Sequence, residues 1–188
     1  MRRYVLSLLF AFAFALGAHA QEREILKEVV VNAPPETVWK AWTTPEGVRS
    51  FFAPDAVVDP RPDGPFDIHM NPYAEAGLRG ADGMRFLAVQ EPSFFSFTWN
   101  APPHLPQARK QRTVVLVRLK PEGESRTRVT LRHLGWGDGG EWDKAYAYFD
   151  GAWGRVLANL QLRFEKGPVD WAPFLGRLKA QMEKPGAK

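Results

Sequence analysis

The sequence predicts an α+β domain in which a curved antiparallel sheet packs against one long C-terminal helix. Three observations carry this reading. From Glu141 to Glu165, Trp142, Tyr146, Phe149, Trp153, Val156, Leu160 and Phe164 recur at three- and four-residue steps, so one helix carries a bulky apolar stripe. Between residues 56 and 134, short β-branched and aromatic runs alternate with Pro- and Gly-containing turns, the pattern of an antiparallel meander. Two short proline-initiated helices are predicted directly after the first strand.

In chain order, Glu24–Asn32 (EILKEVVVN) is rich in β-branched residues and predicts a strand. Ala33-Pro34-Pro35 ends it, and a helix is predicted from Pro35 to Trp42, with Val38, Trp39, Ala41 and Trp42 on its apolar side. Thr44 is placed to cap a second short helix, Pro45–Phe51. Strands are expected at Ala56–Asp59, Pro65–Met70, Met84–Gln90, Phe94–Trp99, Gln111–Lys120 and Ser125–Leu134. Asn71–Gly83 and Asn100–Lys110 are expected to be loops. Alternation places Phe95, Phe97 and Trp99 on one face, and likewise Val115, Val117 and Leu119, then Val129, Leu131 and His133. The glycine-rich Gly135–Gly140 leads into the long helix as a hinge. Beyond Gly167-Pro168, residues 168–188 form an extension in which Trp171, Phe174, Leu175, Leu178 and Met182 have helical spacing. Its last residues are expected to fray.

The N-terminus bears on location. Arg2 and Arg3 precede an apolar run, Val5–Leu16, and Ala18-His19-Ala20 supplies small residues for cleavage. The run is shorter than the ~20 residues a spanning helix needs. Residues 1–20 are therefore expected to be a cleaved signal peptide, which places the mature protein in the periplasm or outside the cell. Cleavage lowers the net charge of +4 by the two arginines, leaving little reason to expect nucleic acid as a partner. The absence of cysteine excludes disulfides, thiolate metal sites and a cysteine nucleophile. Seven Trp and thirteen Phe supply the material for a core instead.

Local sequence then adds a family resemblance. Pro35, Val38, Trp39, Ala41, Trp42, Thr43, Pro45, Glu46, Phe51 and Phe52 follow the N-terminal signature of the START-like SRPBCC superfamily. More narrowly, they resemble its subfamily named for the activator of Hsp90 ATPase homologue. Phe97-Thr98-Trp99, the run Thr127–His133, and Gly151-Ala152-Trp153 with Leu157 and Leu160 extend the likeness over residues 24–167. The resemblance implies a helix-grip fold with a hydrophobic cavity between sheet and long helix. The export signal makes the name-giving chaperone activity improbable, because ATP-driven Hsp90 is absent from the envelope.

Candidate site residues follow from the faces. Trp99, Tyr146, Phe149 and Trp153, with Phe97, Leu131 and His133, are candidates to line a ligand pocket, against the simpler reading of each as core. His133 is the sharpest polar candidate, as a hydrogen-bonding group for a ligand or as a general base. The simpler alternative is a structural histidine satisfied by a backbone or tyrosine group. His69 shares its strand side with Asp67 and is expected to point outward. Asp138, Glu141 and Asp143 are expected to complement the N-terminus of the long helix. Arg79, Arg85, Arg109, Lys110 and Arg112 are expected on a solvated surface. The sequence contains no P-loop, Rossmann glycine pattern, G-x-S-x-G or H-E-x-x-H, and neither a cofactor nor a metal is expected.

These readings favour an exported binding protein for a small hydrophobic or amphipathic molecule or lipid. A cyclase- or hydrolase-type enzyme using the same cavity, or a protein-interaction module, is the alternative.

Overall fold

A computed structural model describes residues 23–183. The expected signal peptide, residues 1–20, lies outside the described residues, as do residues 184–188 of the C-terminal extension. The elements are β1 (Ile25–Val31), α1 (Pro35–Thr43), α2 (Pro45–Arg49), β2 (Asp55–Val58), β3 (Phe66–His69), β4 (Gly80–Ala81), β5 (Phe86–Gln90) and β6 (Phe94–Trp99). They continue with α3 (Pro106–Arg109), β7 (Thr113–Pro121), β8 (Thr127–Leu134), α4 (Gly140–Lys166) and α5 (Ala172–Met182). Five strands form one antiparallel sheet in the order β1-β8-β7-β6-β5, and β2-β3-β4 form a second. Residues 63–66 join the two. The Phe66 N–H donates to the Met84 carbonyl at 2.9 Å, and Phe86 N–H to that of Gly64 at 2.9 Å. The second sheet therefore extends the curve of the first.

Local chemistry accounts for the element ends. Thr44 Oγ1 accepts from Gly47 N–H at 3.0 Å and starts α2, as its position before Pro45 predicts. Gly167, at φ 98°, ends α4 and donates its N–H to the Arg163 carbonyl at 3.1 Å, a conformation that favours glycine. In β6, β7 and β8 the alternating residues Phe95, Phe97, Val115, Val117, Val129 and Leu131 are completely buried. They meet the α4 stripe through Phe149, Trp153, Val156, Leu157 and Leu160.

Two short elements depart from the sequence reading. The expected loop 71–83 contains β4, and the loop 100–110 contains α3. Both are too short to carry a periodicity of their own, and tertiary contacts hold them. Glu141 is one such contact. Its carboxylate, in the first turn of α4, accepts the Gln107 N–H at 2.7 Å and the Ala108 N–H at 3.0 Å and so also serves the start of α3. Asp143 pairs with Arg23 at 2.6 Å.

The tail after α4 turns back on α2. Val169 N–H donates to the Ser50 carbonyl at 2.9 Å, and Trp171 Nε1–H to the Arg49 carbonyl at 2.6 Å. The Lys179 ammonium lies 5.2 Å from the Tyr73 ring centroid, which ties α5 to the 71–79 segment. Among the described residues, no helix is long and apolar enough to cross a membrane.

Candidate functional site: a cavity between sheet and long helix

A cavity of about 260 Å³ opens between α4 and the sheet. Phe149, Ala152, Trp153 and Val156 of α4 form one wall. Trp99 and Asn100 at the end of β6, with Pro102 and Pro103, form another. Ile68 and Met70, with Gly80 and Ala81, close it from the second sheet, and Phe52 lines it beside Trp153. The rings of Phe52, Trp99 and Trp153 form a triangle, with centroids 5.3–5.9 Å apart. Arg79 and Tyr148 are the titratable wall residues, and Tyr148 is 44% exposed. No carboxylate and no imidazole lies on the wall among the described residues.

The pocket candidates separate. Trp99, Phe149 and Trp153 line the cavity. Phe97, Leu131, His133 and Tyr146 do not. Phe97 and Leu131 are completely buried in filled core, and the Phe97 centroid lies 4.3 Å from that of Phe66. Tyr146 donates its hydroxyl to the Glu24 carbonyl at 2.9 Å and lies beneath Arg23. Alternation identifies the inward face of a strand, but not where along that face packing leaves a gap.

His133 does not line the cavity and is completely buried. Its Nδ1 accepts the Trp153 indole N–H at 2.9 Å, so its proton sits on Nε2, which donates to Thr113 Oγ1 at 2.7 Å. The Thr113 hydroxyl donates in turn to the Trp99 carbonyl at 3.4 Å. Burial pushes the His133 pKa down from 6.5 to about 3, so the ring is neutral at physiological pH. Trp136 covers it at 4.2 Å between centroids. Both ring nitrogens are thus hydrogen-bonded, to a threonine and a tryptophan rather than to a backbone or tyrosine group.

His69 corrects another expectation. It is 2% exposed, not outward, and its Nδ1 lies 2.6 Å from Asp55 Oδ2. This hydrogen bond is the main cause of the lowered Asp55 pKa. β3 is the middle strand of its sheet and is covered on both faces, so polarity does not identify an outward side.

The cavity mouth depends on two residues that the sequence reading left on the surface or unweighed. Arg109 donates Nη1–H to the Ala101 carbonyl at 2.5 Å, and Nη2–H to those of Gly77 and Gly80 at 2.7 and 2.9 Å. With the Asn100 amide oriented so that its oxygen accepts, both Arg109 Nη atoms also reach it at 3.2 Å. Burial lowers the Arg109 pKa, while nearby Asp82 opposes the shift. Asp82 accepts from Gly77 N–H at 3.0 Å, Gly80 N–H at 3.1 Å and Arg79 Nε–H at 2.8 Å. Burial alone would raise the Asp82 pKa, but these bonds hold it below its ordinary value. One buried donor on the wall remains without a partner among the described residues, the Trp99 Nε1–H. An unsatisfied buried donor costs about 1–3 kcal/mol.

A curved antiparallel sheet closed on a long C-terminal helix around such a cavity is the helix-grip, START-like architecture. The chain belongs to the family described as activator of Hsp90 ATPase homolog 1-like protein, which it matches over residues 32–165. Protein MLL2253 from Mesorhizobium loti is structurally similar, with a TM-score of 0.63 and 23% identity over 78% of this chain and 100% of that one. The Aha1 dimer from Colwellia psychrerythraea is similar at TM-score 0.60 and 18% identity, covering 77% of this chain and 98% of that one. CalU16 from Micromonospora echinospora is similar at TM-score 0.56 and 22% identity, covering 85% and 83%. Among curated proteins, none matches the sequence.

Proposed function

We propose that this is an exported, non-enzymatic binding protein that holds a small hydrophobic or amphipathic molecule between its sheet and α4. The observation that carries this reading is the cavity of about 260 Å³ with largely apolar and aromatic walls. Burial of apolar ligand surface there contributes about 25 cal/mol per Å². The absence of carboxylate and imidazole from the described wall favours binding over acid–base chemistry. The candidate base His133 has both ring nitrogens engaged. The export part rests on the charged, apolar and small-residue pattern of residues 1–20.

A cavity-filling variant tests the binding part. Ala152 lies on the wall and on an interior turn of α4, where a larger side chain projects into the space. Ala152→Trp is expected to abolish uptake of 8-anilinonaphthalene-1-sulfonate and of fatty acids by the full chain while the melting temperature is retained. Undiminished uptake by a folded Ala152→Trp protein places binding elsewhere and overturns the reading.

A further inference from the structure

We infer that the cavity takes a small monocarboxylate with an apolar, ring-bearing body, its carboxylate held at the mouth by the Nη edge of Arg79. This rests on the cavity being a binding site, as proposed above. The guanidinium is the charged group on the wall, and it is only partly committed. Its Nε donates to Asp82 Oδ1 at 2.8 Å, while neither Nη atom has an acceptor among the described residues. Both Nη atoms also keep accessible surface, since neither is among the enclosed polar atoms that lack a partner. The residue is held from two sides, by Asp82 on Nε and by the Asn71 N–H, which donates to the Arg79 carbonyl at 2.8 Å. An anion there meets a cation already in place, which lowers the ordering cost of binding. Asn71 also lines the cavity; its oxygen takes the Tyr73 N–H at 3.2 Å, which leaves its NH₂ to donate. The Asn100 oxygen is occupied by Arg109. The wall side chains thus offer donors and few open acceptors.

The sign and size of the ligand's charge follow from the same corner. Two guanidinium groups, Arg79 and Arg109, share one carboxylate, Asp82. Arg109 donates to the Ala101, Gly77 and Gly80 carbonyls and forms no ion pair among the described residues. Asp82 also accepts the Gly77 and Gly80 N–H groups, so its charge is divided among several donors. Arg112 and Asp67 flank the corner at Gly83 and offset each other. One positive charge is left beside a wall without a carboxylate among the described residues. A monoanion balances it, whereas a dianion carries a second charge unpaired into apolar surroundings. The two oxygens of a carboxylate match two parallel N–H groups of the guanidinium. The body is set by the aromatic side chains Phe52, Trp99, Phe149 and Trp153 around a space of about 260 Å³. That is below the roughly 300–1,000 Å³ of sites for drug-sized ligands, which favours a compact ring system over two acyl chains.

The test uses two probes of nearly equal shape, 2-naphthylacetate and 2-naphthylacetamide, in which an NH₂ replaces one carboxylate oxygen and the charge is lost. Affinities are measured by calorimetry at pH 7.5 for the full chain and for Arg79→Met, which keeps an unbranched apolar stem and removes the guanidinium. The unsubstituted protein is expected to bind the acid about 10-fold more tightly than the amide, the lower end of what hydrogen bonds to a charged group supply at a partly exposed site. Arg79→Met is expected to weaken the acid by about 10-fold and to leave the amide within about two-fold. A crystal structure of the unsubstituted protein with the acid is expected to place the carboxylate within about 3.2 Å of the Arg79 Nη atoms, and it decides the question even if Arg79→Met fails to fold. An amide bound as tightly as the acid, an acid preference that survives Arg79→Met, or a carboxylate seated away from Arg79 overturns the inference while leaving the cavity a binding site. If neither probe binds the unsubstituted protein, the inference is overturned, and uptake of 8-anilinonaphthalene-1-sulfonate and its loss in Ala152→Trp decide separately whether the binding reading stands.

Discussion

Trp153 on α4 donates its indole N–H to Nδ1 of His133 on β8 at 2.9 Å. The imidazole passes the connection on to Thr113 on β7, whose hydroxyl reaches the Trp99 carbonyl at the end of β6. One chain of polar groups thus fastens the long helix to three strands, and both of its terminal residues, Trp153 and Trp99, stand on the cavity wall. The polar group that looks most catalytic in the sequence holds the cavity's frame in place.

His133→Ala is therefore expected to act on stability. It leaves the Trp153 N–H and the Thr113 hydroxyl without their partner and opens a void in a filled part of the core. Together these cost about 2–5 kcal/mol, to be measured by urea unfolding. The folded fraction is expected to retain probe affinity within about three-fold. Unchanged stability combined with lost binding would instead make His133 a ligand group.

Acid sensitivity follows from the same ring. The folded-state pKa of His133 is lowered from 6.5 to about 3, so the unfolded chain binds one more proton between those values. The contribution is fully present above about pH 6.5 and is lost progressively as pH falls toward 3. At pH 5 the loss is about 2 kcal/mol. The lowered pKa values of Asp55 and Asp82 act further toward the acid side, since stability from depressed carboxylates is lost as they protonate. Unfolding free energies measured from pH 7.5 to 4.5 are expected to decline below pH 6.5 in the native chain. His133→Gln is expected to flatten that decline.

Arg109→Met is expected to loosen the mouth of the cavity. The guanidinium joins the 77–80 segment, of which Leu78, Arg79 and Gly80 line the cavity, to the Ala101 carbonyl, between the wall residues Asn100 and Pro102. Losing those bonds costs about 1–3 kcal/mol, discounted because the residue is partly exposed. Amide hydrogen exchange should quicken in residues 77–83 and at Asn100 and Ala101, and remain slow in β7 and β8. Uniform quickening across the sheet would show that Arg109 supports the whole domain rather than the mouth.

Asp55→Ala is expected to cost about 1–3 kcal/mol, because His69, already without a partner at Nε2 among the described residues, then loses its Nδ1 acceptor as well. A melting temperature unchanged by the substitution would mean that the pair contributes nothing to stability.

The fold was legible in the sequence wherever periodicity was long. The α4 stripe, the alternation in β6, β7 and β8, and the Thr44 cap all appear as the sequence predicts. The site was only partly legible. Phe149 and Trp153 carry the helix stripe and Trp99 an alternating strand position, so they could be placed on the inward face. Whether an inward residue meets another side chain or an empty space depends on the bend of the sheet, which is why Phe97 and Leu131 are core and Trp99 is wall. Arg109 and Glu141 were not legible, because they act on the backbone of segments that are 32 and 34 residues away in sequence. His69 was misplaced because its strand is covered on both sides.

The most direct test of the central claim is native mass spectrometry of the protein purified from its own host, followed by extraction of anything bound. A small apolar molecule retained at near one-to-one stoichiometry, and absent from Ala152→Trp, is the predicted result. A protein that arrives empty and ignores a panel of fatty acids, phospholipids and neutral aromatics would contradict it.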